Sequence, residues 1–297
     1  MRDGRRRRYR THRMPSIWGR CSSLASATLL VICLALLLPH RGERATAAPT
    51  SNPVPETYLK YDGLGAYAEV GNSPAFSLSD EGLSVAVWMR PDALTFPRRE
   101  GGQANEQYVH WLGKGQAGNQ EWTFRMYSLM PLGPRQNRIS FYVFNPIGNL
   151  GCGSYFQDPV RAGEWIHVVG TADAAKKVTA IYKNGEFRHS DSYQSEMPVT
   201  GPAPLRFGTR DFASFFEGAI GPVQIWSRPL AASEVAGLFT ASVVPQNGLV
   251  AWFADDEGSG IFIHDRVAGK VGEIHGAVWQ SGKGPLGTTT GSGGGGC

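Results

Sequence analysis

Cysteine is scarce in this chain: four residues in 297, at Cys21, Cys33, Cys152 and Cys297. The first two fall in an N-terminal leader. The other two sit in a glycine-containing loop and at the end of a glycine tail. An oxidising compartment would permit a bond, but two such thiols make a weak disulfide framework, and both are expected to be unpaired. Metal-ligand spacings are also missing. His189, His264 and His275 are scattered, with no H-x-x-x-H among them. "GKGQAGNQ" lacks the spacing and following helix of a phosphate loop. No nucleophile motif accompanies His167, which lies among apolar neighbours in "WIHVV" and reads as a satisfied core or edge histidine. Long amphipathic helices are absent, which, with abundant glycine, points to many short strands joined by tight turns.

The ends differ from the rest. Arg2, Arg5, Arg6, Arg7, Arg8, Arg10, Arg13 and Arg20 precede an apolar run over residues 24–38, followed by Ala45-Thr46-Ala47. This is the layout of a secretory signal peptide over residues 1–47. Arg41, Glu43 and Arg44 beside the cleavage site leave an uncleaved signal anchor as the alternative. Neither leader cysteine is a lipid-anchor site, since Arg20 and Ile32 precede them. The leader holds 10 of the 29 basic residues and 2 of the 25 acidic ones, so the remainder carries a net charge of −4. The basic balance belongs to the leader and gives no reason to expect nucleic acid as a partner. Residues 48–57 read as a short linker, and residues 283–297 as a disordered Gly/Ser/Thr-rich spacer.

Residues 58–282 suit one large β-sandwich. In "LSVAVWMRP", Leu83, Val85, Val87 and Met89 fall on one face, and Ser84, Ala86, Trp88 and Arg90 on the other. "EWTFRMYS" sets Trp122, Phe124 and Met126 against Thr123, Arg125 and Tyr127. "RISFYVF" sets Ile139, Phe141 and Val143 against Ser140, Tyr142 and Phe144. "GEWIHVVGTAD" and "KVTAIYKNGEF" read as a hairpin, with Asn184-Gly185 accepting positive φ in a tight turn. Residues 92–106 and 145–159 read as loops. One short helix is expected over residues 231–239, entered through Pro229, with Val235, Leu238 and Phe239 at helical spacing.

Together "YLKYDGLGAYAEV", "LSVAVWMRP", "GEWIHVVGTAD", "IYKNG" and "GAIGPVQIWSRPLAASEVAGLF" resemble a LamG-like jelly-roll domain of the concanavalin A-like lectin/glucanase superfamily. The resemblance covers residues 58–239. It implies an all-β, two-sheet antiparallel jelly-roll sandwich with one short helix, acting as a non-catalytic binder of a carbohydrate or a cell-surface protein, secreted or at the cell surface. Trp88 and Trp165 sit at family-typical positions and read as structural. The segment "NGLVAWFADDEGSGIFIHDRVAGKVGEIHGAVW" resembles the part that usually opens such domains, yet here it follows the helix. It either completes the sandwich, as in a circular permutation, or begins a truncated repeat. A lone half-repeat could not bury Leu249, Ala251 and Phe253, so residues 245–282 are expected to complete the sandwich.

Related glucanases place paired carboxylates in an E-x-D-x-E strand, and no such run occurs. Asp255, Asp256 and Glu257 are adjacent, read as a turn, and cannot all share one strand face. A glycoside hydrolase or polysaccharide lyase with an unrecognised site is the alternative to a binding module, and a purely structural or adhesive module is a third reading. Jelly-roll relatives often bind calcium, and Asp62 matches the family's "F-D-G" aspartate. The second acidic position is Gly221-Pro222 here, so no metal is expected and Asp62 is read as shaping the turn at Gly63. Strand parity places Arg125, Tyr127 and Tyr142 outward together, a face suited to stacking on sugar rings or simply an ordinary solvated sheet. Pointing away from the core, the two tyrosines are expected to contribute little stability.

Overall fold

The computed structural model describes residues 55–101, 107–129, 135–145, 150–193 and 200–282. The expected leader and tail, Cys297 and most of the linker lie outside the described residues. In chain order the strands are β1 (Thr57–Asp62), β2 (Tyr67–Val70), β3 (Gly82–Pro91), β4 (Tyr108–Gln116), β5 (Asn119–Tyr127), β6 (Ile139–Asn145), β7 (Leu150–Phe156), β8 (Ile166–Asp173), β9 (Val178–Lys183), β10 (Glu186–Ser192), β11 (Leu205–Phe207), β12 (Glu217–Trp226), β13 (Leu249–Phe253), β14 (Phe262–His264), β15 (Val271–His275) and β16 (Val278–Ser281). Helix α1 (Ala232–Phe239) lies between β12 and β13. The ladders are antiparallel and form two sheets. The first runs β10-β9-β8-β3-β12-β1-β16, with β13 also on β12; the second runs β14-β15-β2-β11-β4-β5-β6-β7. This is the expected all-β jelly-roll sandwich.

Alternation along the strands builds the core between the sheets. Leu83, Val85, Val87 and Met89 of β3 meet Trp122, Phe124, Met126, Ile139, Phe141 and Val143 from β5 and β6 in one buried cluster. The ring of Phe141 occupies the space above Gly170 of β8: a Cβ there would lie 2.3 Å from Phe141 Cγ. Trp122 Nε1 donates to Phe76 O at 2.7 Å, so its one polar atom is satisfied inside the core.

Strand β12 changes partners midway, and its sequence says why. Residues 217–220 pair with β1, while Val223, Gln224 and Ile225 pair with β13. Between them stands Gly221-Pro222, where the register with β3 also shifts. Proline has no N–H to give to a ladder, which confines it to such breaks. Residues 249–281 supply strands to both sheets: β13 joins β12, β15 joins β2, and β16 joins β1. Thr57 thereby lies opposite Ser281. Ala251 and Phe253 are buried between the sheets. Leu249 does not share that face; it packs with Val235, Leu238 and Trp226 beneath α1, beyond a register shift.

Helix α1 covers the outer face of the first sheet. Glu234 accepts from Ala231 N at 2.8 Å and pairs with Arg228 through both carboxylate oxygens, fixing the helix start.

Two strands were not legible in the sequence. Strand β7 lies where a loop is expected, and β10 follows β9 through Asn184 (φ 52°) and Gly185 (φ 80°). The Asn-Gly turn therefore closes the β9–β10 hairpin, while β8 and β9 are joined at residues 174–177.

Two stability experiments follow from this packing. Deleting residues 245–282 removes strands from both sheets, and chemical denaturation of the remainder should show no cooperative transition. Phe141→Ala should cost roughly 3–5 kcal/mol in urea unfolding, and Gly170→Val should also destabilise, by about 1–3 kcal/mol through overpacking against the same ring.

Candidate functional site

The outer face of the second sheet holds the residues that parity places there. Arg125, Thr123 and Tyr127 come from β5, Ser140 and Tyr142 from β6, and Tyr108 and His110 from β4. A register shift between His110 and Leu112 leaves Trp111 as an extra residue; it packs inward onto Phe124 while His110 stays outward, opposite Arg125. On β7 the outward positions are Gly151, Gly153 and Tyr155. A Cβ at Gly153 would lie 2.7 Å from Tyr142 Cγ, and one at Gly151 2.7 Å from Phe144 Cε1. These glycines give the two rings room to lie over the neighbouring strand.

Arg125 is the centre of the face. Its guanidinium lies between two aromatic rings, 4.1 Å from the Tyr108 centroid and 4.5 Å from that of Tyr142. Its Nη1 donates to the Tyr127 hydroxyl at 3.3 Å, and its Nε donates to His110 Nε2 at 3.3 Å. Arg135 donates to the same Tyr127 hydroxyl at 3.2 Å. The three residues singled out by parity thus meet in space, but not as three exposed platforms. Tyr108, Arg125 and Tyr142 are half-buried, whereas Tyr127 is only 2% exposed. The expectation that Tyr127 contributes little stability is corrected by this burial.

Behind Arg125 lies a polar network with no counterpart in the sequence reading. His110 is 1% exposed and its Nδ1 sits 2.7 Å from Glu100 Oε1, which also accepts from Ser214 Oγ at 2.7 Å. Arg210 Nη1 lies 3.3 Å from His110 Nε2. With two guanidinium donors aimed at Nε2, that nitrogen must accept, so the ring proton is on Nδ1 and donates to Glu100. Burial above all, with the charges of Arg210 and Arg125, pushes His110 down to about 4, against the hydrogen bond to Glu100. Burial works against the Glu100 charge, yet His110, Ser214 and Arg210 together hold its carboxyl down to about 2. Burial would raise the Tyr127 phenol, but Arg125 and Arg135 bring it below its ordinary value.

Glu100, His110 and Asp211 could offer three ligand atoms within 4.8 Å of one another. The donor set does not suit a cation: Asp211 pairs with Arg210, Glu100 is engaged by His110 and Ser214, and two guanidiniums face His110 Nε2. Asp62 Oδ1 accepts from the N–H groups of Leu64, Gly65 and Ala66, bridging the turn at Gly63 (φ 72°). Burial opposes its charge, but those backbone donors together hold the carboxyl below its ordinary value. Asp255, Asp256 and Glu257 lie outside any strand. Asp255 is buried, and burial first and Glu257 second raise its carboxyl well above the usual range.

The outer face of the first sheet carries a separate cleft of about 220 Å³, lined by Trp88, His167, Gln224, Leu238 and Trp252 among others. His167 is 3% exposed, and burial pushes it down to about 4. Its Nδ1 has no hydrogen-bond partner, so it is not the satisfied histidine expected. Trp88 and Trp165 are buried, with Trp165 edge-on to Tyr58 at 5.0 Å.

A family model described as the concanavalin A-like lectin/glucanases superfamily, laminin G type, matches residues 62–236. The match spans more than half of the chain, and the chain belongs to this family. A search of curated protein sequences finds no match. Among solved structures, one similar fold is a protein from Bacteroides ovatus whose name proposes carbohydrate binding, with TM-score 0.52, 15% identity and 76% of this chain covered. This chain spans 60% of that protein's length. A heptameric SAP-like pentraxin from Limulus polyphemus has TM-score 0.52 and 11% identity over 74% of this chain and 96% of its own.

The depressed imidazoles set a pH dependence. Both histidines bind protons more readily in the unfolded chain, so their contribution is fully present above about pH 6.5 and is lost as pH falls towards 4. Glu100, with its folded value near 2, adds a loss of the same sign below about pH 4.5. In urea unfolding from pH 7.5 to 4.5 these groups should withdraw on the order of a few kcal/mol, opposed by Asp255, whose raised carboxyl takes up its proton more readily in the folded chain. His167→Phe, which removes an orphaned buried polar atom, should be neutral or stabilising at pH 7.5 and should lessen that loss. An equal pH dependence in His167→Phe and in the wild-type protein would contradict the assignment.

Proposed function

We propose that this protein is a non-catalytic, extracytoplasmic carbohydrate-binding module, and that the Tyr108–Arg125–Tyr142 stack on the second sheet is its sugar-contacting surface. That stack is the observation that carries the reading. Half-buried aromatic rings on rigid strands give a sugar an apolar face to stack on, and a guanidinium held between them supplies donors to ring oxygens. The strands hold the rings in place before any ligand arrives, so little ordering cost attends binding.

The charge state of the face favours binding over glycan hydrolysis. A glycosidase needs one carboxyl held protonated beside a second that is ionised. On this face Glu100 is held ionised, while Asp211 pairs with Arg210. The expected leader, whether cleaved as a signal peptide or kept as an anchor, would put the domain outside the cytoplasm, where glycan or cell-surface ligands are found.

A glycan array on residues 48–282 tests this reading. Tyr108→Ala and Tyr142→Ala should each weaken the best hit by about 1 kcal/mol or more, as for an anchoring aromatic, at small cost in melting temperature. Tyr127→Ala should instead destabilise the fold by roughly 3 kcal/mol, because that ring is buried. No binding to any glycan would overturn the proposal.

A further inference from the structure

Among the described residues on the outer face of the second sheet, ion pairs engage several charges but not those of Arg125 and Arg138. Arg206 pairs with Glu69, and Arg210 with Asp211. Glu100 is committed to His110 and Ser214. Arg125, by contrast, has no carboxylate partner among the described residues; its donors reach only a neutral imidazole nitrogen and a phenol. Its Nη2 remains at the end of a guanidinium already held between two rings. Arg138 is similar. It lies 3.7 Å from the Tyr155 ring centroid, donates to the Gln157 side-chain carbonyl, and keeps a buried Nε with no partner.

The two sit close together. Arg125 is opposite Ser140, and Arg138 lies two residues from Ser140 on the same strand face, with Tyr127 N donating to its carbonyl. Diagonal neighbours of this kind are about 7–8 Å apart. Tyr108, Tyr142 and Tyr155 interleave with them across four adjacent strands, β4 to β7, a span of about 14 Å at the usual strand spacing. A surface that alternates aromatic rings with uncompensated planar cations fits a chain of rings that carries carboxylates. Arginine pre-set in a plane matches a carboxylate in bidentate fashion at lower entropic cost than lysine.

We infer that the ligand is an acidic glycan of the uronic-acid class, whose carboxylates are taken by Arg125 and Arg138 while its ring faces rest on the flanking tyrosines. This inference rests on the sugar-binding reading of the same face and narrows it.

The test uses residues 48–282 and three probes by calorimetry: a uronate oligosaccharide, the same oligosaccharide with its carboxyls reduced to alcohols, and a sulfated neutral-backbone oligosaccharide of equal length. The wild-type domain should bind the uronate at least tenfold more tightly than the reduced form, with affinity falling as salt rises. Arg125→Gln should remove that preference, weakening the uronate at least tenfold more than the reduced form. Arg138→Gln should weaken the preference severalfold; it also decides the matter should Arg125→Gln fail to melt cooperatively. Tyr142→Ala should weaken both the uronate and its reduced form. Equal affinity for these two probes would overturn the inference while leaving a neutral-sugar site standing. Tighter binding of the sulfated probe than of the uronate would also overturn it, in favour of sulfate recognition. Binding of none of the three, together with an empty glycan array, would remove the underlying reading as well.

Discussion

Phe141 seated on Gly170 is the contact that ties the two sheets together where the candidate face is built. The ring comes from β6 of the second sheet and fills the space left by an absent side chain on β8 of the first. Once Phe141 is fixed inward, period two fixes Ser140 and Tyr142 outward. Pairing of Phe124 with Phe141 passes the same parity to β5, so Arg125 and Tyr127 follow. A one-residue slip would place a guanidinium in the core, an error that costs far more than the sheet could recover. The core beneath therefore sets which residues the outer face presents.

That face is unusual in how much polar material it buries. His110, Thr123 and Arg210 are all nearly inaccessible there. Such groups are tolerated only when their partners are in place. Here Asp211 answers Arg210, Glu100 and Ser214 answer His110, and Thr123 Oγ1 donates to a backbone carbonyl of its own sheet. The network does for Arg125 what packing does for Phe141: it leaves the guanidinium one position to occupy.

Period-two patterning carried most of the architecture. β3, β5, β6 and the helix could be read from alternation and spacing, and the same reading brought Arg125, Tyr127 and Tyr142 onto one face. What escaped has identifiable causes. β7 alternates Gly151 and Gly153 with small residues, and glycines in a strand look like a loop until the rings of Tyr142 and Phe144 are seen lying over them. β10, "EFRHSDS", has no apolar face to betray it. The burial of Tyr127 depends on Arg135 and Arg125 closing round it, and long charged side chains announce no direction in a sequence. Glu100, Arg210, Asp211 and Ser214 come from loops, with His110 and Arg210 a hundred residues apart, so no local motif could join them to the face. His167 was misjudged for the opposite reason: its neighbours are apolar, as expected, but they leave one ring nitrogen stranded.

Because β1 and β16 are paired edge to edge, the two exits of the domain emerge side by side, with Gly282 N donating to Glu56 O. Both exits belong to the rim of the first sheet, whereas the tyrosine–arginine face belongs to the second. A fold laid out in this way behaves like a cartridge. It can be plugged into a loop of a larger protein, or hung from one stem, without stretching the host chain and without turning its tyrosine–arginine face towards the attachment.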